Sequence, residues 1–382
     1  MVIEGFNSAQ LPLVAALATP EDLWSSSDES LMSVAREIQS LIAGAALDLP
    51  MMYAPNPETE ASCRRVRVWV RETGLVRSDR AYAWYCDWEI EKFVGGSYAQ
   101  ATGDGLDLCN KTVSWVALFD DQLDGLQGES VGKARDIVCS FLAELHGVKT
   151  PEGDLGPLIP TFREIWEESK KGRSPSWVAR AVSGWEYFLT ASIYEASNRA
   201  LDQKLPRRLD LFSELRGGSG AMEPFLNILE PGAGYELAPT LFNSPHIRRM
   251  RSCVVNLVND LNDVYSLHKE VARRERENHV LVVQEEFNLS LVGAVEMILQ
   301  RIHSEASRLV ELNSQIPDIC AALRLGEVDR RIVAGYADAL ELYISGFLAW
   351  QRSSRRYTQA LESRPPAVPW ASDELIHGLN GS

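Results

Sequence analysis

Apolar residues recur every three or four positions along most of the chain, which is the period of an amphipathic helix. No stretch keeps the alternation of apolar and polar residues that a strand shows. Proline and glycine fall mainly between the periodic segments, where they end helices or form turns. The pattern predicts an all-α protein of about ten to twelve helices with short joints; its clearest segments are 31–47, 106–123, 177–201 and 247–271.

The joints between the predicted helices give no sign of a domain boundary. None is long or polar enough to be an interdomain linker, and no repeat of the solenoid kind occurs. We therefore expect one domain over residues 1–382. We expect its ends, residues 1–25 and 361–382, to be loosely held; the second end carries three prolines and finishes in Gly-Ser.

Composition and charge narrow the class of function. Hydrophobic residues make up 45% of the 382 positions, which is enough for a sizeable core. The net charge of -15 argues against a nucleic-acid partner, because binding a polyanion requires clustered Lys and Arg. The longest apolar runs are far shorter than the roughly 20 residues of a membrane span, so none is expected. No Lys or Arg precedes Arg36 to flank a signal peptide, and a cytoplasmic location is expected.

Three aspartates end a strongly apolar segment. Asp120, Asp121 and Asp124 follow or close a run that is apolar on nearly every side, and which is therefore a predicted buried helix. Their spacing puts Asp120 and Asp124 on one helix face, with Asp121 about 100° round. Such close carboxylates repel unless a cation lies between them, and hard oxygen ligands suit Mg²⁺. The alternative is a solvated helix end followed by a Gly125 cap.

A second motif places three oxygen-bearing side chains at four-residue steps. Asn262, Ser266 and Glu270 lie on one stripe of a predicted helix. A frame that begins at Asn259 reaches Leu267, which has no ligand atom. A carbonyl, a hydroxyl and a carboxylate together form a plausible half-site for Mg²⁺. The alternative is that the serine only bonds its own helix backbone.

The two motifs together resemble those of class I terpene synthases. Asp120-Asp-Gln-Leu-Asp124 resembles their aspartate-rich motif, and the segment from Asn262 to Glu270 resembles their Asn/Ser/Glu triad. The resemblance extends from Asp120 to Tyr357, about two-thirds of the chain. It implies the class I terpenoid synthase fold of bacterial members with a single α domain, which is a helical bundle around a central cavity. It also implies a prenyl diphosphate substrate and three Mg²⁺ ions.

The resemblance also assigns the metal ligands. It implies that Asp120 and Asp124 hold two ions and that Asn262, Ser266 and Glu270 hold the third. Asp121 is implied either as a further ligand or as the partner of Arg356 when the site closes.

Further site residues follow from the same resemblance. Arg216 stands at the position of the diphosphate-sensing arginine, and Ser219 and Gly220 stand at the linker and effector positions; without the family, Gly220 would only kink or end a helix. The resemblance implies that pyrophosphate is bound by Arg216, Lys269, Arg356 and Tyr357. Trp350 shares a helix face with Tyr357 and is expected on the cavity wall. The pair Trp84 and Trp88 is interpreted as core.

The expected reaction is the cyclisation of farnesyl diphosphate to a sesquiterpene with release of pyrophosphate. A diterpene cyclase that uses geranylgeranyl diphosphate is the alternative, because Val116 and Ala117 stand where bacterial members often have aromatic residues. A prenyl transferase would carry a second aspartate-rich motif in place of Asn262 and Ser266. A non-catalytic helical protein is the remaining rival. Members of the family are often dimers, so a homodimer is one state that the resemblance allows.

Overall fold

The computed structural model describes residues 19–44, 47–124, 131–150, 155–200, 208–359 and 375, and these residues contain helices and no strand. The predicted all-α class is therefore confirmed. Ten of the helices in this part of the chain have eleven or more residues, and the others are short segments of four to nine. In chain order they are α1 (Pro20–Ser25), α2 (Asp28–Gly44), α3 (Thr59–Glu72), α4 (Asp79–Asp87), α5 (Ile90–Ser97), α6 (Asp104–Asp124), α7 (Val131–Leu145), α8 (Leu158–Lys170), α9 (Pro175–Ala200), α10 (Leu209–Ser219), α11 (Met222–Asn227), α12 (Leu229–Ala233), α13 (Pro239–Phe242), α14 (Pro245–Arg273), α15 (His279–Glu286), α16 (Leu291–Ser314), α17 (Ile316–Ala322), α18 (Glu327–Ser353) and α19 (Arg355–Thr358).

Helix α14 is the longest described helix, and its ends are set by its own sequence. Ser244 is the N-cap, because its hydroxyl accepts from the backbone N–H of Ile247, and Pro245 follows at the first helical position. Arg274 ends the helix in the left-handed region, with φ of 63°. Its guanidinium donates to a carboxylate oxygen of Asp28 at 2.9 Å, which ties this end of α14 to α2.

Helices α5 and α18 cross at close range because each has a glycine at the contact. A side chain on Gly346 would overlap the backbone of Gly96 and Ser97. The hydroxyl of Ser97 donates to the carbonyl oxygen of Tyr343 at 2.9 Å across the same crossing. The close approach fixes where the side chains of α18 stand relative to α5.

Helix α18 has the length and composition of a membrane span, with a mean hydropathy of 1.3 over its most apolar window. However, 61% of that window is buried inside the fold, as in the core helix of a bundle. It is the one helix with these properties in the described part of the chain.

An aromatic cluster holds the C-terminal half of α6. Trp115 stacks on Phe119 with ring centroids 4.9 Å apart, and both rings contact Phe141 edge-on at 5.2 Å. The indole of Trp115 also donates to the carbonyl oxygen of Leu158 at 3.0 Å. This packing holds the end of α6, where Asp120 lies, against the rest of the bundle.

Buried apolar side chains form one large cluster that runs from Leu23 to Leu375, and we therefore propose a single domain. Most of the predicted loose ends lies outside the described residues. Within residues 1–25, positions 20–25 form α1, in which Leu23 is fully buried. Of residues 361–382 only Leu375 is described, and it is buried.

Candidate active site

The described residues enclose a cavity of about 340 Å³ between α5, α6, α14, α18 and the junction of α10 with α11. Twelve of the thirteen predicted site residues line it: Asp120, Asp121, Arg216, Ser219, Gly220, Asn262, Ser266, Lys269, Glu270, Trp350, Arg356 and Tyr357. The side chain of the thirteenth, Asp124, lies outside what the structure describes. Folding thus brings together residues that are up to 237 positions apart in the sequence, from Asp120 to Tyr357.

The triad on α14 lies along one stripe, as its spacing predicts. The hydroxyl of Ser266 donates to an oxygen of Glu270 at 2.6 Å. The carbonyl oxygen of Asn262 accepts from Arg216 at 2.8 Å, and its amide nitrogen donates to the hydroxyl of Tyr357 at 2.9 Å. The three side chains therefore present oxygen atoms at successive turns of the cavity wall.

The donor chemistry of this stripe fits a hard divalent cation. Carbonyl, hydroxyl and carboxylate oxygens are the ligands that Mg²⁺ accepts in proteins. Desolvation and the nearby charge of Asp263 raise the pKa of Glu270 to about 7, and a bound cation would favour its ionised form. Among the described residues no group of three His, Cys, Asp or Glu side chains is arranged to bind a metal. The predicted ligands on α14 are instead one amide, one hydroxyl and one carboxylate.

Arg216 is held in place by an ion pair that the sequence analysis missed. Its guanidinium donates to Asp263 Oδ1 from Nε at 3.1 Å and from Nη2 at 2.9 Å. The other oxygen of Asp263 accepts from the backbone N–H of His279 at 2.8 Å. Burial by itself would raise the pKa of Asp263, but Arg216 and His279 outweigh it and lower that pKa to about 2. Asp263 is thus a buried carboxylate that positions the arginine.

Asp260 continues this buried ionic network. It accepts from Arg301 Nε at 2.6 Å, and one of its oxygens lies 3.2 Å from the ring nitrogen Nδ1 of His279. The same ring nitrogen lies 2.9 Å from Asp263. The network joins α14 to α15 and α16 beneath the triad.

The basic side chains of the site converge on Tyr357. Lys269 donates to the carbonyl oxygen of Arg356 at 2.6 Å, and its ammonium lies 4.6 Å from the centre of the Tyr357 ring. Desolvation and the charge of Arg356 lower the pKa of Lys269 well below its ordinary value. A bound anion would offset both effects, so this end of the cavity suits a diphosphate.

Asp121 and Asp120 lie close enough to Arg356 to act on its charge. Desolvation lowers the pKa of Arg356, but Tyr357 and Asp121 outweigh it and raise that pKa above its ordinary value. The aspartate-rich end of α6 therefore lies near the pair at 356 and 357. This arrangement agrees with either role predicted for Asp121, and neither is tested.

The helical path is interrupted between α10 and α11, at the positions predicted as linker and effector. Ala221 has φ of 55°, and the carbonyl oxygens of Ser219 and Gly220 accept no hydrogen bond from the described residues. A Cβ on Gly220 would lie 2.5 Å from Asn259 Oδ1, so a larger residue there would require the Asn259 side chain to move. The break occurs as predicted; the effector role stays a prediction.

Trp350 lies on the cavity wall, within a group of aromatic side chains. Its ring centroid is 5.2 Å from that of Phe93 and 5.3 Å from that of Tyr357. Trp88 is buried, at 3% exposed, as the interpretation of a core residue requires, but it also lines the cavity.

The cavity wall also contains residues that the sequence analysis did not name. Some of them could have been found from the sequence, and others could not. Tyr343 and Phe347 lie at helical spacing before Trp350 on α18, so their shared face was visible in the sequence. Phe93 comes from a distant helix and carried no such signal. Asn259, which is out of register with the triad, also lines the cavity.

Comparison with known proteins agrees with this geometry. Residues 111–308 match the sequence profile described as terpene synthase family 2, C-terminal metal binding. Pristinol synthase of Streptomyces pristinaespiralis is 30% identical over 318 residues, covering 82% of this chain and 85% of that protein. The (-)-β-caryophyllene synthase of Saccharothrix espanaensis is 27% identical over 335 residues, covering 87% and 93%.

A solved structure gives the same result for the fold. Germacradien-4-ol synthase from Streptomyces citricolor superposes with a TM-score of 0.71 at 26% identity, covering 81% of this chain and 99% of that chain. The profile match covers more than half of the chain, and it includes the triad and Arg216. The chain therefore belongs to the terpene synthase family and is a bacterial class I terpene synthase.

Proposed function

We propose that this protein is a Mg²⁺-dependent terpene cyclase that ionises farnesyl diphosphate, releases pyrophosphate and forms a cyclic sesquiterpene. One observation carries the proposal. A single cavity combines aromatic side chains from α5 and α18 with carboxylate, amide and basic groups from α6, α14 and α19. An apolar chain fits beside the first set, and a diphosphate fits beside the second.

The metal sites follow from the donors that line the cavity. Asp120, together with Asp124, would hold two ions, and Asn262, Ser266 and Glu270 would hold the third. Bound Mg²⁺ neutralises the charge that develops on a diphosphate leaving group. The family profile, which is named for metal binding, supports a divalent metal. The identity and number of ions are part of the proposal.

The basic residues would bind the diphosphate and keep it oriented. Lys269 and Arg356 bring two positive charges to one place, and each gains from a bound anion. Arg216 is oriented by Asp263 and bonds Asn262, so it links the diphosphate to the triad. The aromatic side chains exclude water and offer π faces to a carbocation.

The size of the cavity favours a C15 chain. About 340 Å³ lies near the lower end of the roughly 300–1,000 Å³ range of ligand pockets, and the diphosphate takes part of it. The relative from Saccharothrix espanaensis is named as cyclising farnesyl diphosphate, which supports the same choice. One observation favours geranylgeranyl diphosphate instead. Val116 and Ala117 both line the cavity, and their small side chains leave room along α6.

The direct test is product analysis. The purified protein is incubated with Mg²⁺ and, separately, geranyl, farnesyl and geranylgeranyl diphosphate, and the extracts are analysed by gas chromatography with mass detection. We expect a cyclic C15 product from farnesyl diphosphate alone. A cyclic C20 product would move the assignment to a diterpene cyclase. Elongated diphosphates formed with isopentenyl diphosphate would indicate a prenyl transferase, and no product in either assay would favour a non-catalytic protein.

Two variants test the metal assignment. Asp120→Asn and Asn262→Ala are expected to abolish pyrophosphate release, since each removes a metal ligand. Asp136→Asn is the matched control, because Asp136 is an exposed carboxylate on α7 outside the cavity. Full turnover by either cavity variant would show that the assigned ligands are wrong.

A binding experiment separates metal and diphosphate without turnover. We expect the melting temperature to rise clearly only when Mg²⁺ and pyrophosphate are added together, because each completes the site of the other. An equal rise with pyrophosphate alone would contradict metal-linked binding.

The homodimer and the cytoplasmic location stay predictions. Light scattering of the purified protein tests whether it is a dimer.

A further inference from the structure

One stretch of the cavity wall is polar although its neighbours are apolar. It consists of Ser219, Gly220 and Asn259. The apolar residues Ala221 and Met222, which follow Gly220 in the chain, also line the cavity. Ser219 is 7% exposed and Asn259 is 3% exposed. We call these three residues the polar wall.

The polar wall is separate from the predicted metal ligands on α14. Asn259 precedes Asn262 by three residues, so it lies about 4.5 Å further along the helix axis, away from Ser266 and Glu270. Its Oδ1 lies in the space that a side chain on Gly220 would occupy, so Asn259 faces the break between α10 and α11.

The hydroxyl and backbone carbonyl groups of this wall lack hydrogen-bond partners within the described part of the chain. The hydroxyl of Ser219 is buried and has no hydrogen-bond partner among the described residues. The carbonyl oxygens of Ser219 and Gly220 accept no hydrogen bond there either. Leaving a buried polar group unpaired costs about 1–3 kcal/mol. The buried Ser219 hydroxyl, which is unpaired beside these two carbonyl oxygens, therefore calls for an explanation.

A water molecule bound at this wall would satisfy these groups. Buried waters occupy polar sites and make two to four hydrogen bonds. The wall offers one hydroxyl, two backbone carbonyl oxygens and one side-chain amide, so it supplies both donors and acceptors. All three residues of the wall line the cavity, so a water held there would face the substrate.

We propose that the polar wall holds this water inside the cavity and that the water is the nucleophile that ends the reaction, so that the product is a terpene alcohol. The inference rests on the proposed cyclase function. The water oxygen forms a bond to the cationic carbon, which gives a protonated alcohol. An O–H bond of this species then breaks, and its proton passes to an oxygen of the pyrophosphate that the reaction has released.

The polar wall orients the water and is not the final base. The wall offers three acceptors, which are the side-chain oxygen of Asn259 and the carbonyl oxygens of Ser219 and Gly220, and two of them accept hydrogen bonds from the two O–H groups of the water, so that its lone pairs face the cavity. None of these groups takes a proton at neutral pH. A wall made only of apolar side chains would leave the cation to lose a proton and become a hydrocarbon.

The first experiment uses the wild-type protein. Farnesyl, geranyl and geranylgeranyl diphosphate are turned over in water enriched in ¹⁸O, and the products are analysed by mass spectrometry. We expect an alcohol that carries ¹⁸O as the main product. A hydrocarbon as the main product, or an alcohol without the label, would overturn the inference while leaving the cyclase function intact. No product from any diphosphate would instead overturn the proposed function, and this inference with it.

Substitutions then test which residues hold the water. Asn259→Leu is expected to lower the ratio of alcohol to hydrocarbon about tenfold, the equivalent of losing one hydrogen bond of about 1.4 kcal/mol. Ser219→Ala is expected to shift the ratio the same way, and it keeps the test valid if the leucine variant fails to fold. Ser192→Ala is the matched control, since this buried hydroxyl bonds the carbonyl oxygen of Phe188 outside the cavity. An unchanged ratio in both cavity variants would overturn the assignment.

Discussion

Trp350 donates its indole N–H to the backbone carbonyl oxygen of Trp88 at 2.9 Å. The same carbonyl oxygen accepts from the hydroxyl of Ser354 at 3.2 Å, and this hydroxyl in turn accepts from the backbone N–H of Arg356 at 3.2 Å. Ser354 is thereby the N-cap of α19. A chain of hydrogen bonds therefore connects the aromatic wall of the cavity with the residues predicted to bind the diphosphate.

Ser354→Ala is expected to weaken substrate binding. The change removes the cap of α19 and its bond to Trp88, and losing such a cap costs about 0.5–2 kcal/mol. Without its cap α19 no longer holds Arg356 in place for the diphosphate. We therefore expect KM to rise about tenfold and kcat to fall by a smaller factor. Steady-state pyrophosphate release measures both constants. Ser353→Ala is the control, because the neighbouring hydroxyl is exposed and makes only a 3.5 Å contact within α18. Equal KM values in the two variants would contradict a positioning role for Ser354.

Gly346→Ala is expected to destabilise the fold strongly. The new methyl group would overlap the backbone of Gly96, so α5 and α18 must move apart. Such overpacking costs about 3 kcal/mol or more when backbone has to shift. Thermal unfolding followed by circular dichroism measures the loss. Gly132→Ala on α7 meets no atom within 4 Å, and we expect it to be neutral or stabilising by about 0.5–1 kcal/mol.

Asp263→Asn is expected to reduce both stability and activity. The substitution leaves the guanidinium of Arg216 without its buried counter-charge, which costs about 3–5 kcal/mol. It also frees Arg216 from the orientation that points it toward Asn262. Urea unfolding and kcat/KM measure the two effects. Asp210→Asn breaks an exposed pair with Arg208, and we expect it to leave the free energy of unfolding almost unchanged. A wild-type kcat/KM in the Asp263 variant would show that Arg216 needs no such partner.

Ala117→Phe tests how the wall of α6 limits chain length. Ala117 lines the cavity, so a phenyl group there shortens the space for the hydrocarbon. We expect kcat/KM for farnesyl diphosphate to fall about tenfold or more relative to that for geranyl diphosphate. Ala179→Phe places the same group on the exposed face of α9 and should leave this ratio unchanged. A parallel loss for both substrates in the Ala117 variant would mean a folding defect and not a change in cavity length.

The ion pair between Glu144 and Arg163 makes the free energy of unfolding depend on pH. Its carboxylate accepts from Arg163 at 2.8 and 2.7 Å, and this pairing holds the pKa of Glu144 below its ordinary value. A lowered pKa in the folded state stabilises the protein above the unfolded-state pKa of about 4.3, and the gain is lost as the pH falls through the folded value. We therefore expect Glu144→Gln to lose less stability than the wild type as the pH falls from about 5 through the unfolded-state value of about 4.3 to below the lowered folded-state pKa. Thermal melts across this range measure it. Glu167→Gln, at an exposed carboxylate, should keep the wild-type pH dependence.

The sequence predicted the helical class and almost the whole list of polar site residues. Helical periodicity is local, and so is the spacing of Asn262, Ser266 and Glu270, because a helix determines which neighbours share a face. Trp350 and Tyr357 could be placed on one wall for the same reason. Family resemblance supplied Arg216, whose partner Asp263 lies within the segment from Asn262 to Glu270 but was not recognised.

The sequence by itself determined the secondary structure, the chemistry of the motifs and the stripe on α14, since all of these depend on residues within a few turns of one another. Only the tertiary structure decided that Phe93 and Trp88 meet Trp350, that Gly220 lies against Asn259, and that Asp121 lies near enough to Arg356 to act on its charge. Those relationships depend on how whole helices cross, and a crossing is set by close packing over many residues at once. No local pattern records that packing.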